Sequence, residues 1–294
     1  MSSRSTPALT ERIAAELGAG DRLWFPGLAP ELVAHFCCQD AGGELCGHAY
    51  GTYRWIADES RATRVLGGRI ELTTGSINVE LLPTVPRLEI GGLTLAQEAS
   101  DEALELIQAA TDLIANVHGL GEAIGAVVKS IHLLVAEREH DISYSSPAIP
   151  FSIFVSVPRA DERNAVARLA EAIIHEAMHL QLTLIEAVVP LISGSATTTF
   201  SPWKLEDRPI QGVLHGLYVF GVIFQALGSL GQSVPAVESY SAARQVQIST
   251  EMDSVEDIRH GLTSYGAELW KLLKSIVSAG DTASAHQDRL SAGS

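Results

Sequence analysis

Cysteine is scarce in this sequence, since Cys37, Cys38 and Cys46 are the three present among 294 residues. Their number is odd and two of them are adjacent. This pattern does not indicate a disulfide framework and favours a reduced, cytoplasmic setting. The first twenty residues also lack the long apolar run of a secretory signal.

Basic residues are few as well, because 20 Lys and Arg stand against 35 Asp and Glu, for a formal net charge of −15. Nucleic acids and anionic membranes are bound through clustered Lys and Arg, so neither is expected as the main partner. The apolar stretch 209–230 has the length of a membrane span, but it contains Gln211, His215 and Gln225. We therefore expect a buried helix with one functional stripe.

Hydrophobic spacing in the first half of the chain predicts helices on either side of a strand region. Residues 8–40 have the spacing of two helices broken by glycine and proline. Residues 64–96 alternate between apolar and polar side chains, as strands do. Residues 95–139 return to helical spacing, with a break at 119–121.

The second half begins with a short strand at 151–157. A long helix is expected from about Asp161 to about Leu191, followed by a Gly/Ser/Thr loop at 193–199. A second apolar helix is expected from Pro209 to near Gly228, and a last helix from about 255 to 278. The tail beyond that helix has the composition of a disordered segment.

These elements predict a mainly α fold with a small β-sheet (α+β), in which a zincin-like motif helix lies next to a short strand. We expect a single metalloenzyme domain over residues 1–294. Its parts are a helical and strand region at about 1–140, a metal-binding core at about 141–230 and a C-terminal helix at about 250–279. The sequence does not indicate an oligomeric state.

The segment His175-Glu176-Ala177-Met178-His179 predicts a catalytic metal site. Residues four apart lie on the same helix face about 5–6 Å apart, so two imidazoles at this spacing can bind one ion. Glu176 is close enough to serve a bound water or to support the ligands. The alternative is a pair of hydrogen-bonded histidines on a buried helix.

A third ligand is needed, and His215 is the best candidate. It lies in an apolar helix, where an unpaired imidazole would be costly, and the flanking Gly212 and Gly216 would let another helix approach. Glu186 and Glu206 are the alternatives, although Glu186 is about 10 Å beyond His179 along the same helix.

For several other residues, the sequence is compatible either with a role in the site or with a purely structural role. Trp203 and Tyr218 either line the pocket or pack in the core, and Ser201 either binds a carboxylate or closes a loop. His132 is expected to be a buried core histidine on an apolar helix. The segment 145–150 and the strand after it either bind an extended peptide at a sheet edge or form an ordinary edge.

The motif and the segments after it resemble the HExxH-motif peptide-modification family. The similarity is densest from about 130 to 230. The segments that carry it are Ser201-Pro202-Trp203, Asp207-Arg208-Pro209 and Gly212-Val213-Leu214-His215-Gly216. The resemblance implies an Fe(II)- and 2-oxoglutarate-dependent oxygenase that hydroxylates a β-carbon in a ribosomally synthesised precursor peptide, with dioxygen as the oxidant.

Such an oxygenase needs three protein ligands on one face of Fe(II), with the other positions left for 2-oxoglutarate and dioxygen. Arg208 is the candidate cation for the distal carboxylate of 2-oxoglutarate, at the start of the helix that carries His215. Its alternative role is an ion pair with Asp207 or Glu206. Glu176 would then support the site or orient the substrate.

Two other functions remain open at this stage. A zinc metallopeptidase would use Zn(II) on the two histidines and Glu176 as the general base that deprotonates the metal-bound water. A non-catalytic peptide-binding maturation partner would keep the metal only as a structural element, in a site closed by four protein ligands.

Overall fold

The computed structural model describes residues 6–40, 65–72, 74–81, 93–147, 149–194 and 197–276. It confirms the prediction of a mainly α fold with a small mixed sheet. Cys46 and the tail after 276, which was predicted to be disordered, lie outside the described residues, as does most of the predicted strand region beyond residue 81.

The contacts between Cα atoms divide the chain into two units. Of the described residues, 24–184 form the first, here called the sheet unit, and 6–23 together with 185–276 form the second, here called the helical unit. This division does not coincide with the predicted limits near 140 and 230. The single domain stays a prediction.

In its described residues the sheet unit has three helices before the motif helix. They are α2 (Ala29–Asp40), α3 (Asp101–Ala115) and α4 (Leu120–Val127). The Ser100 hydroxyl caps α3 by accepting from the Ala103 N–H at 3.1 Å. Gly119 precedes α4 with φ of 78°, a left-handed conformation that glycine adopts without steric cost. The predicted break at 119–121 is therefore confirmed.

Five strands form the sheet of this unit in the order β1-β2-β3-β5-β4. They are β1 (Val65–Leu72), β2 (Gly75–Leu81), β3 (Ser130–Leu134), β4 (Ser143–Ser145) and β5 (Ser152–Ser156). Strands β2, β3 and β5 are parallel, whereas β1 and β4 are antiparallel to their neighbours.

Two predictions about this sheet were wrong. Helical spacing was expected as far as residue 139, but β3 is a strand whose five side chains are all buried. A strand covered on both faces lacks apolar–polar alternation, so its sequence resembles a buried helix. The strand after 145–150 was expected at an edge, but β5 lies between β3 and β4, and β4 lies at that edge of the described sheet.

The motif helix α5 spans Ala165–Glu186, somewhat shorter than predicted. Most of its apolar side chains are buried, including Leu169, Ile173 and Ile174. A stripe of half-buried side chains runs along the opposite face at helical spacing. Within the sheet unit it comprises Arg168, Glu171, Ala172, His175, His179 and Thr183.

The helical unit begins with α1 (Thr6–Ala19). It continues with β6 (Thr198–Ser201), β7 (Glu206–Pro209), α6 (Ile210–Ser233) and α7 (Glu238–Asp253), and residues 264–276 form a last helix, α8. Strands β6 and β7 are antiparallel and form a two-stranded sheet, where a loop was expected.

The helical unit also departs from the predicted helix limits. Helix α6 continues five residues beyond the predicted end at Gly228. Helix α7 was not predicted, because its buried residues are only Ser241, Ile248 and Met252, which is too weak an apolar stripe to recognise. By length and composition α6 is apolar enough to cross a membrane, but 67% of its most apolar window is buried, as in the core helix of a soluble protein.

Candidate metal centre

The two motif histidines lie on successive turns of α5, and their rings meet edge to face. Their ring centroids are 4.9 Å apart at an interplanar angle of 70°. The side chain of His175 is 26% exposed and His179 is half-buried. Because the buried face of α5 fixes the helix, both imidazoles are presented on the half-buried stripe of the sheet unit.

Glu176 is held by the edge strand. Its side chain is 5% exposed, and its Oε1 accepts a hydrogen bond of 2.6 Å from the hydroxyl of Ser143, the first residue of β4. The same Oε1 lies 3.9 Å from Nε2 of His175, which is beyond hydrogen-bond distance. The carboxylate therefore lies beside the histidine pair and is bound to β4.

Two turns before His175, Arg168 ties the start of α5 to the segment before β4. Its guanidinium donates to both carboxylate oxygens of Asp141 at 2.7 Å, from Nε and Nη2. Its Nη1 donates to Oε2 of Glu162 at 3.1 Å. A bidentate contact of this kind fixes the relative orientation of its two partners and also pairs their charges. The segment at Asp141 therefore has a defined position against α5.

Glu162 joins two further segments to this network. Its carboxylate accepts from the backbone N–H of Glu139 at 3.2 Å and from that of Arg159 at 3.3 Å. Burial acts to raise the pKa of Glu162, but the N–H of Arg159, the Arg168 guanidinium and the N–H of Glu139 together lower it below its ordinary value. Glu162 is therefore held in its charged form.

A cavity of about 300 Å³ lies among these segments, after the carboxyl ends of the parallel strands β3 and β5. It is lined mainly by charged and polar residues of 136–141 and 156–159 together with Glu162. The motif histidines are not among its lining residues. None of its lining residues was selected from the sequence.

His215 lies in the helical unit, on α6, and its imidazole is bound to a carboxylate. Its Nε2 is 2.9 Å from Oε2 of Glu186, and the same oxygen accepts from Nε2 of Gln211 at 3.0 Å. Both the histidine and the glutamate side chains are about 15% exposed. The buried imidazole thus has a partner, and two residues predicted as alternative ligands are in contact with each other.

Gly216, next to His215, serves a purpose different from the predicted one. A Cβ on Gly216 would lie 2.8 Å from the ring of Trp203, which stacks on Phe220 with ring centroids 4.9 Å apart. The missing side chain at this position therefore makes room for Trp203 rather than for a second helix. Trp203 has the packing role that was weighed beside a pocket role.

The remaining residues predicted to bind 2-oxoglutarate also lie in the helical unit. Tyr218 is fully buried and donates from its hydroxyl to the Leu23 carbonyl at 2.7 Å, which is a core position. Ser201 is buried at the end of β6, and its carbonyl accepts from the N–H of Leu205 at 2.8 Å. Arg208, on β7, is 41% exposed, with its Nε 3.9 Å from Oε1 of Glu206.

His132 is a core histidine, as predicted, although it lies on the strand β3 and not on a helix. It is fully buried, its Nδ1 is 3.0 Å from the Glu80 carbonyl oxygen, and its ring stacks on Phe154 at 4.7 Å. Its role is structural.

The histidine pair fits two positions of a metal site. An ion bound by both rings would lie about 2.0–2.1 Å from one nitrogen of each, and imidazoles on successive turns meet this requirement. In the part of the chain that the structure describes, no group of three or more His, Cys, Asp or Glu side chains is gathered closely enough to hold a metal ion. The third ligand, for which His215 was proposed, stays a prediction.

No protein-family model matches the chain, and no curated protein matches it. The family resemblance of the motif segments therefore stays a prediction, and the function is argued from the site.

Sequence reasoning did not identify Ser143, Glu162 or Arg168. Arg168 had a detectable signal, because it lies seven residues before His175 and seven residues are close to two helical turns. Ser143 had none, since its contact with Glu176 joins residues 33 positions apart.

Proposed function

We propose that this protein is an Fe(II)- and 2-oxoglutarate-dependent oxygenase that hydroxylates a β-carbon of a residue in a ribosomally synthesised peptide. The observation that supports this proposal most is the half-buried pair His175 and His179 beside Glu176, whose carboxylate is held by β4. Two imidazoles are common ligands in the iron sites of non-haem Fe(II) oxygenases. The resemblance of the downstream segments supports the same chemistry.

Glu176 has a role in either chemistry. A peptidase needs this carboxylate to take a proton from the metal-bound water. An oxygenase has no such step, and the buried carboxylate, whose Oε1 accepts a hydrogen bond from Ser143, would then orient groups around the metal.

In the proposed site, His175 and His179 bind iron, and His215 is the predicted third ligand. When bound, iron supplies the oxidation, in which dioxygen and 2-oxoglutarate convert a peptide C–H group to C–OH and give succinate and carbon dioxide. The protein's own task is to hold the peptide carbon near the ion and to bind the keto acid.

The edge strand β4 supports a peptide as the substrate. Among the described residues β4 pairs with β5 and with no other strand, and we propose that its other side receives the peptide. An extended peptide that pairs with this edge would lie next to Ser143, whose hydroxyl contacts Glu176. The proposal thus places the peptide along the motif helix within the sheet unit.

Arg208 is the proposed cation for the distal carboxylate of 2-oxoglutarate, with Ser201 as a predicted neighbour, whereas Trp203 and Tyr218, which were also predicted there, pack against other side chains of the helical unit. Its side chain is 41% exposed, and 3.9 Å to Glu206 is too long for a tight ion pair. We expect Arg208→Ala to raise the KM for 2-oxoglutarate much more than it lowers kcat, and Arg208→Lys to restore part of the affinity. A cytoplasmic location is also proposed, consistent with the buried free thiol of Cys37.

The function can be tested without knowing the peptide. Anaerobic Fe(II) protein mixed with 2-oxoglutarate should develop a visible charge-transfer band, and on exposure to air it should slowly release succinate. Both signals should be missing in His175→Ala and retained in His118→Ala, which changes an exposed histidine. A Zn(II) form that cleaves unstructured peptides, with no succinate from the Fe(II) form, would establish the peptidase instead.

A further inference from the structure

The contact between Ser143 and Glu176 connects the edge of the sheet to the motif helix. At 2.6 Å it has the length of a charge-assisted O–H···O⁻ hydrogen bond, which is stronger than a neutral one. Ser143 is half-buried and Glu176 is buried, so water competes little for either group.

A second contact fixes the direction of the segment that contains β4. Asp141 is bound to Arg168 and Ser143 is bound to Glu176. Both pairs advance from the start of α5 towards its end, so this segment runs alongside the helix. Because the Arg168 contact is independent of Ser143, removing the serine hydroxyl leaves the segment attached to α5.

We propose that Ser143 is a positioning residue for the metal centre, acting through Glu176. Its hydroxyl fixes Oε1 3.9 Å from Nε2 of His175 and so determines where the carboxylate lies beside a bound ion. Since Ser143 belongs to the strand at which the peptide is proposed to bind, it connects peptide and metal. The inference rests on the proposed function.

Co(II) binding tests this role, because Co(II) substitutes for Fe(II) and its visible spectrum depends on coordination geometry. Ser143→Ala should change the spectrum and lower the affinity for Co(II) by less than the roughly tenfold that follows loss of a direct partner of a metal ligand, because Ser143 acts through Glu176. Ser143→Thr keeps the hydroxyl and should restore both. Unfolding temperature is measured in parallel to show that each variant is folded.

The matched control is Ser130→Ala, in β3 of the same sheet. Ser130 has a fully buried hydroxyl without a hydrogen-bond partner in the described part of the chain, so its loss removes a hydroxyl and no contact. The Co(II) spectrum and affinity of Ser130→Ala should equal those of the wild type.

A double-mutant cycle separates positioning from a general structural effect. If Ser143 acts through Glu176, Ser143→Ala should change neither affinity nor spectrum in a Glu176→Ala background. A wild-type spectrum in Ser143→Ala, or an equal effect in both backgrounds, would overturn the role of Ser143 alone. Co(II) binding unchanged by His175→Ala would overturn the metal site and the Ser143 role with it.

Discussion

His175 in the sheet unit and His215 in the helical unit lie on long, largely buried helices, but their carboxylate neighbours differ. Nε2 of His215 is 2.9 Å from Glu186, whereas Nε2 of His175 is 3.9 Å from Glu176, whose Oε1 is engaged by Ser143. A neutral imidazole that donates from Nε2 to a carboxylate carries its lone pair on Nδ1. In that tautomer His215 would bind a metal through Nδ1, with Glu186 orienting the ring.

The comparison teaches that the two kinds of histidine have different surroundings. The imidazole of His215 lies within hydrogen-bond distance of a carboxylate, which can orient its ring. The imidazoles of His175 and His179 lie edge to face on successive turns of one helix, at the spacing of two ligands of one ion. The spacing of the pair therefore supports metal binding in the sheet unit independently of His215.

The largest effect is expected from removing either member of the pair. His175→Ala or His179→Ala should lower metal affinity by more than the roughly 100-fold that follows loss of an outer partner, because a direct ligand is lost. Metal content after dialysis against a weak chelator measures this. Retention of a full equivalent of metal in both variants would show that the pair is structural.

A smaller effect on metal affinity is expected at the histidine–glutamate contact. Glu186→Gln keeps a hydrogen-bond acceptor for His215 but removes its charge, so affinity should fall by about 10- to 100-fold if His215 is a ligand. His215→Ala should have the larger effect of the two. Gln211→Ala, which removes the other donor to the same oxygen, should leave metal affinity unchanged.

Equal metal binding by wild type and His215→Ala would assign this contact to stability alone. The histidine pair of the sheet unit would then bind the metal, whereas His215 in the helical unit would contribute only to folding stability. Isothermal titration with Co(II) gives the affinities, and urea unfolding of the metal-free proteins gives the stability change separately.

How much of the site could be predicted depends on how far apart in the sequence the interacting residues lie. The pair on α5 follows from local spacing, since residues four apart share a helix face whatever the rest of the chain does. The contact of His215 with Glu186 joins residues 29 apart, and that of Arg168 with Asp141 joins residues 27 apart. Neither leaves a local pattern, although three of these four residues lie on recognisable helices.

The same reasoning explains which strands of the fold could be predicted. Strands β1 and β2 were predicted because one face of β1 is exposed and its sequence alternates. Strand β3 was predicted as a helix because all five of its side chains are buried. Position within the sheet is not encoded locally either, so β4 was not recognised as the edge strand.

A further prediction concerns acid stability. The pKa of Glu162 is lowered in the folded protein from an ordinary value of 4.5. Its contribution to stability is therefore fully present above about pH 4.5 and is lost as the pH falls through the folded pKa. Glu162→Gln should be less stable than wild type at pH 7 and should lose less stability on acidification. Urea midpoints at pH 7, 5, 4 and 3 measure this, and parallel curves for the two proteins would contradict it.

The smallest effect on the free energy of unfolding is expected at Asp257 in the helical unit. Hydrogen bonds from the side chain and the N–H of Arg259 lower the pKa of Asp257 to about 2. Arg259→Ala should raise this pKa towards 3.8, as followed by NMR titration, with an unchanged urea midpoint at pH 7. Both side chains are more than half exposed, and exposed pairs contribute little.

The two carboxylates differ in the distance along the chain that their contacts span. Asp257 binds a residue two positions away, so much of the contact remains possible in the unfolded chain and folding gains little from it. Glu162 binds the N–H of Glu139, 23 positions away, which only the folded chain brings near. An acid-stability profile that changes as much in Asp257→Asn as in Glu162→Gln would show that contact range does not determine the contribution of these charges.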